Sequence, residues 1–107
     1  MPDGFIKAAQ VGELSSGDRK LVDIGGGQQV LLFNLGGSYY AVDEECTHAF
    51  GRLSMGEVRS DEVGCPVHAA VFNIKTGEVL SQPASEPLTV YSVRVEDGSV
   101  LIGPPVK

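Results

Sequence analysis

Two short words, Cys46-Thr47-His48 and Cys65-Pro66-Val67-His68, hold both cysteines and both histidines of this chain, with sixteen residues between them. Any fold the chain adopts must therefore be judged by whether it can bring these words together. Two soft thiolates and two imidazoles make a four-ligand metal set, and two neighbouring loops could deliver them to one site.

Three metal readings compete on the residues alone. Structural zinc accepts two cysteines and two histidines, but its usual spacing pairs like with like, whereas each word here carries one of each kind. A mononuclear catalytic metal needs an open coordination position and a nearby general base, and neither word supplies a base. A two-iron cluster puts thiolates on one iron and imidazoles on the other, so one of each from each loop suits it.

Composition narrows the setting. At 107 residues, with 42% hydrophobic and 21% charged residues, the chain is expected to form one globular domain, 1–107. The formal charge of −6 leaves no basic stripe for a nucleic-acid backbone. No apolar run is long enough to span a membrane as a helix. The opening Met1-Pro2-Asp3-Gly4 lacks the basic and apolar regions of a signal peptide, so a cytoplasmic location is expected. There, Cys46 and Cys65 are expected as metal ligands or thiols rather than as a disulfide.

Fourteen glycines and six prolines favour short strands over long helices. Strands are expected over 5–11, 19–24, 30–35 and 39–42, the last two joined through Gly36-Gly37 as a hairpin. Between the words, Leu53, Met55 and Val58 punctuate an expected loop rich in glycine and charge, Ser60-Asp61-Glu62 reads as a turn, and Val63 returns the chain to Cys65. After the second word, apolar residues 70–74 turn through Lys75-Thr76-Gly77 toward Val79-Leu80. A proline-braced loop, 82–87, leads to an alternating strand over 88–95. In it Tyr91, Val93 and Val95 are expected on one face. Asp97-Gly98 is a strong hairpin signal, with 100–102 returning. The acidic run Asp43-Glu44-Glu45 reads as a solvated loop, or else as a docking surface that steers partners. No sustained helical periodicity appears, so an all-β, antiparallel sandwich or small barrel is expected.

The pattern C-x-H-x₁₆-C-P-x-H resembles that of Rieske-type ferredoxins, small electron carriers of bacterial aromatic-ring-hydroxylating dioxygenase systems. The likeness extends to the strands before Cys46, the proline loop, and Tyr91–Val100. It implies one Rieske [2Fe-2S] cluster, with Cys46 and Cys65 on the inner iron and His48 and His68 on the outer one. It also implies a cluster-binding subdomain of two ligand loops plus the proline loop. The implied function is one-electron transport from a flavin-containing ferredoxin reductase to a terminal oxygenase, by a monomer that is not itself an enzyme.

Three departures from the wider family carry weight. Membrane-bound respiratory Rieske proteins staple their loops with a disulfide, where this chain has Gly51 and Val67. Their cluster sulfurs receive hydrogen bonds from a serine and a tyrosine, where Ala70 and Phe72 stand here and donate nothing. Fewer donors make reduction harder. Ala69 replaces a common glycine, so the second loop is expected to follow a slightly different backbone path.

Two other functions remain in view: a Rieske-like subunit of another redox enzyme, such as a nitrite reductase, and a zinc-stabilised interaction domain. A detached Rieske domain of an oxygenase is not expected, because no second iron-binding domain follows.

Overall fold

A computed structural model describes residues 4–25, 27–45, 52–65, 71–81 and 87–106. The described residues form ten strands, β1 (Ile6–Gln10), β2 (Arg19–Gly25), β3 (Gln28–Leu35), β4 (Ser38–Asp43), β5 (Val58–Arg59), β6 (Glu62–Gly64), β7 (Val71–Asn73), β8 (Val79–Ser81), β9 (Val90–Glu96) and β10 (Ser99–Val106). One 3₁₀ turn, Leu53–Met55, precedes β5. The strand pairs are all antiparallel and form two sheets, ordered β1-β10-β9-β4-β3-β2 and β5-β6-β7-β8. Among the described residues no helix is long and apolar enough to cross a membrane.

The larger sheet owes its shape to β3. Val30, Leu31, Leu32 and Phe33 are all fully buried, so this strand has no solvent face. Val30 and Leu32 join one apolar cluster with Ala8 and Ala9 of β1, Val22 of β2, Ala41, Tyr91, Val100 and Ile102. Both edge strands of the six thus meet over a shared core, and a sheet can do this only by curling into a near-barrel. Leu31 and Phe33 point the other way, into a second cluster with Val42, Leu53, Val63, Cys65, Phe72, Ile74 and Leu88. That second core glues the small sheet to the large one.

The turns follow local chemistry. Gly36 and Gly37 both have positive φ, 66° and 97°, as do Asp97 and Gly98 at 51° and 76°, the backbone that a two-residue hairpin demands. The β9 alternation holds for Tyr91 and Val93, which pack on the near-barrel core, and fails at Val95, which is 51% exposed where the strand runs out past that core.

The expectation for 53–64 needs correction. The turn expected at Ser60-Asp61-Glu62 is present, through Ser60 at φ 53°, but the residues around it, expected as loop, form the 3₁₀ turn and the β5–β6 hairpin. Leu53 and Val63 supply the apolar anchors that make this order worthwhile, both fully buried.

Candidate cofactor site

Two chain segments leave the small sheet at one end. Gly64 pairs with Val71 across β6 and β7, so residues 65–70 depart from and return to that end. Val71 pairs in turn with Ser81, so the proline loop leaves beside them. The residues that flank the first word are tied toward the same place. Glu45 and Arg52 form an isolated antiparallel bridge, so residues 46–51 leave from and return to a closed neck. Beyond the neck, the Gly64 N–H donates to the Glu57 carbonyl at 2.8 Å, and Gly56 lies directly against Gly64.

Gly56 is the joint between the two words. A Cβ built there would collide with the Gly64 carbonyl oxygen and stand 3.1 Å from its carbon. Its φ of −85° and ψ of 172° are open to any residue, so it is the close approach, and not the backbone conformation, that requires glycine. Gly77 serves the proline loop similarly. It has φ +78°, and its carbonyl accepts from the Leu88 N–H at 2.8 Å, tying the β7–β8 turn to the chain returning from the proline loop.

Of the four candidate ligands, the structure describes Cys65. It is 3% exposed and belongs to the core between the sheets, beside Phe72, Val63 and Leu53. Cys46, His48 and His68 lie outside the described residues, as do Gly51, Val67, Ala69, Ala70 and residues 82–86 of the proline loop. From the neck at Glu45 and Arg52, the chain runs on to Gly56, which lies against Gly64, the residue before Cys65. A buried soft donor at the base of converging loops suits a metal–sulfur group that needs a thiolate and exclusion of water.

The acidic run is not one solvated loop. Asp43 accepts hydrogen bonds from the Tyr91 hydroxyl at 2.5 Å and from Gln28 Nε2 at 3.2 Å. Burial first, and then this carboxylate, push the Tyr91 hydroxyl pKa well above the ordinary phenol value, so it stays a donor. Glu44 is buried, at 5% exposure, and receives Ser54 and Arg52. Glu45 alone is exposed. The expected steering surface therefore shrinks to Glu45, and neutralising all three acids would break structural bonds. Sequence reasoning missed Glu44 and Gly56, because hydrophilic residues beside glycine look like solvent-facing loop unless their distant partners are known.

Comparison with known proteins bears on what this arrangement holds. Residues 4–92 match the Rieske [2Fe-2S] domain family. The 3-phenylpropionate/cinnamic acid dioxygenase ferredoxin subunit of Escherichia coli K12 is 40% identical over 101 residues, covering 94% of this chain and 93% of that protein. The ferredoxin of carbazole 1,9a-dioxygenase from Nocardioides aromaticivorans superposes with a TM-score of 0.86 at 29% identity, over 94% of this chain and 98% of that one. A chain in the complex of reduced oxygenase and oxidized ferredoxin in carbazole 1,9a-dioxygenase reaches a TM-score of 0.91 at 30% identity, over 98% and 97%. The curled sheet, the flanking contacts that gather beside a buried cysteine and these likenesses lead to one conclusion: this chain belongs to the Rieske [2Fe-2S] family, and is a ferredoxin-type electron carrier of the dioxygenase systems, binding one [2Fe-2S] cluster.

Proposed function

We propose that the cluster is held by Cys46, His48, Cys65 and His68, and that the chain, as a single domain over 1–107 and a cytoplasmic monomer, carries electrons from a flavin-containing reductase to a terminal ring-hydroxylating oxygenase. The observation that carries the ligand assignment is the convergence of both word-bearing segments, through the Glu45–Arg52 neck and the Gly56–Gly64 contact, beside the buried Cys65. A bound Rieske [2Fe-2S] group supplies a reversible one-electron couple. The chain's own contribution is to hold the donors in place and keep water from the inner side. Leu53, Val63 and Phe72 around Cys65 form the dry floor. By resemblance, His48 and His68 face outward, where a partner approaches.

A similar structure supports the partner: it is a complex of reduced oxygenase and oxidized ferredoxin in carbazole 1,9a-dioxygenase. The acidic balance of the chain, −6, suits docking on a basic patch. Anaerobic analysis of the purified protein should find two irons and two acid-labile sulfides per chain. Stoichiometric zinc without sulfide would overturn the assignment.

The reduction potential should be low for the class. Rieske centres span about −150 to +300 mV, with hydrogen bonds to sulfur raising the value. Phe72 is fully buried on β7, in the same core as Cys65, and has no hydroxyl to give. The midpoint near neutral pH should therefore lie at the lower end, and Phe72→Tyr should raise it where the new hydroxyl reaches a sulfur. A wild-type midpoint well above zero, by redox titration, would contradict this account.

A further inference from the structure

We propose that Glu44 is the positioning residue for the first ligand pair, clamping the loop that carries Cys46 and His48. This role rests on the four-ligand assignment above. The Glu44 carboxylate is buried, at 5% exposure, two residues before Cys46. Its Oε1 accepts from the Ser54 backbone N–H at 2.8 Å. Its Oε2 accepts from the Ser54 hydroxyl at 2.6 Å and from Arg52 Nε at 3.1 Å. The Glu44 main chain joins in, because its carbonyl accepts from the Leu53 N–H at 2.8 Å.

One residue just past the end of β4 thus takes four hydrogen bonds from three residues, Arg52, Leu53 and Ser54, where the chain returns. The Glu45–Arg52 bridge lies just inside this clamp. The direction of dependence is clear. A buried carboxylate is tolerable only with its donors in place, so the returning segment cannot drift from the outgoing one without stranding a charge. Ser54 provides two of the bonds. Arg52, whose side chain is 61% exposed, provides a weaker, solvent-screened one. The same returning segment continues to Gly56 and so to Gly64 beside Cys65. Glu44 therefore sets where the first loop stands relative to the second.

The test uses the cluster-loaded protein. Iron release to a ferrous chelator is followed under native conditions, with visible circular dichroism of the cluster and thermal unfolding measured in parallel. Glu44→Ala should speed iron release by about 10- to 100-fold, the usual consequence of losing a partner that orients a ligand, and should alter the cluster's dichroic bands. Glu44→Gln keeps an oxygen for the Ser54 N–H and should restore most of the wild-type behaviour. Ser54→Ala should shift both readouts in the same direction by less, which keeps the proposal testable should Glu44→Ala fail to fold. Wild-type release and dichroism in Glu44→Ala, or in Ser54→Ala where the former does not fold, would overturn the proposal. So would a lowered melting temperature with both cluster readouts unchanged, since that marks a residue serving stability alone. His48→Ala is run alongside. Its keeping a native spectrum would overturn the ligand assignment, whereas its losing the cluster while Glu44→Ala stays normal would overturn the clamp alone.

Discussion

Cys65→Ala should yield a chain that assembles no native cluster and melts well below the wild type. Two effects are separable by size. Cys65 is 3% exposed in the core between the sheets, so trimming its sulfur removes a little apolar contact. That loss costs on the order of 1 kcal/mol, like other small core truncations, and on its own would lower the melting temperature by about 4–8 °C. Loss of a proposed ligand is larger, because metal binding free energy is also folding free energy, and the other cysteine of the chain, Cys46, is already assigned to the cluster. The drop should therefore exceed the packing share, and the cluster's absorption should vanish. His48→Ala should bleach the cluster as well. Anaerobic purification followed by iron analysis, absorption and calorimetry checks both variants. Retention of the native spectrum in either would mean that the ligands are elsewhere.

Gly56→Ala should be nearly as damaging, although it adds one methyl group to a residue with no chemistry. The backbone at 56 is ordinary, at φ −85° and ψ 172°, so no conformational penalty arises. The harm comes from what stands opposite. The new Cβ would run into the Gly64 carbonyl, with the Leu53 carbonyl oxygen 3.3 Å away. Both neighbours are backbone and cannot swing aside like the end of a side chain. Gly64 is further pinned by its bond to Glu57 and its pairing with Val71. Overpacking of this kind costs about 1–3 kcal/mol, occasionally more, and here relief requires pushing apart the two ligand-bearing segments. A lowered melting point with a disturbed cluster spectrum is the expected result. Gly12→Ala makes a useful control. Gly12 has φ +95° with nothing within 4 Å of a built Cβ, so alanine there should cost about 1–2 kcal/mol of backbone strain and leave the cluster spectrum untouched. Wild-type stability and spectrum in Gly56→Ala would refute the joint.

The strand pattern was open to reading because its signals are local. The Gly36-Gly37 and Asp97-Gly98 hairpins announce themselves through residues that accept positive φ, whatever surrounds them. The apolar run 30–33 marks a strand, and its lack of alternation fits the burial of both its faces. Residues 53–64 escaped because their order depends on remote partners. Leu53 and Val63 gain by joining a core with Leu31 and Phe33 of β3, twenty or more residues earlier in the chain. The strand over 90–96 was visible, yet Val95 was placed on the buried face, since periodicity records alternation and not where the neighbouring core ends.

The site divides along the same line. Residue type and spacing alone singled out the proposed donor set, Cys46, His48, Cys65 and His68, because soft thiolates and imidazoles in two mixed words have few chemical uses. The sequence also determined an all-β chain, through its turn chemistry. Only the tertiary structure decided how those words are held. Glu44 looks like one of three solvated acids until Ser54 and Arg52 fold back onto it. Gly56 looks like a loop glycine until Gly64 arrives opposite. Ligand chemistry is a property of the side chain and travels with the sequence. A buried charge or a missing Cβ acquires its meaning from atoms many residues away, and only folding brings those atoms into contact.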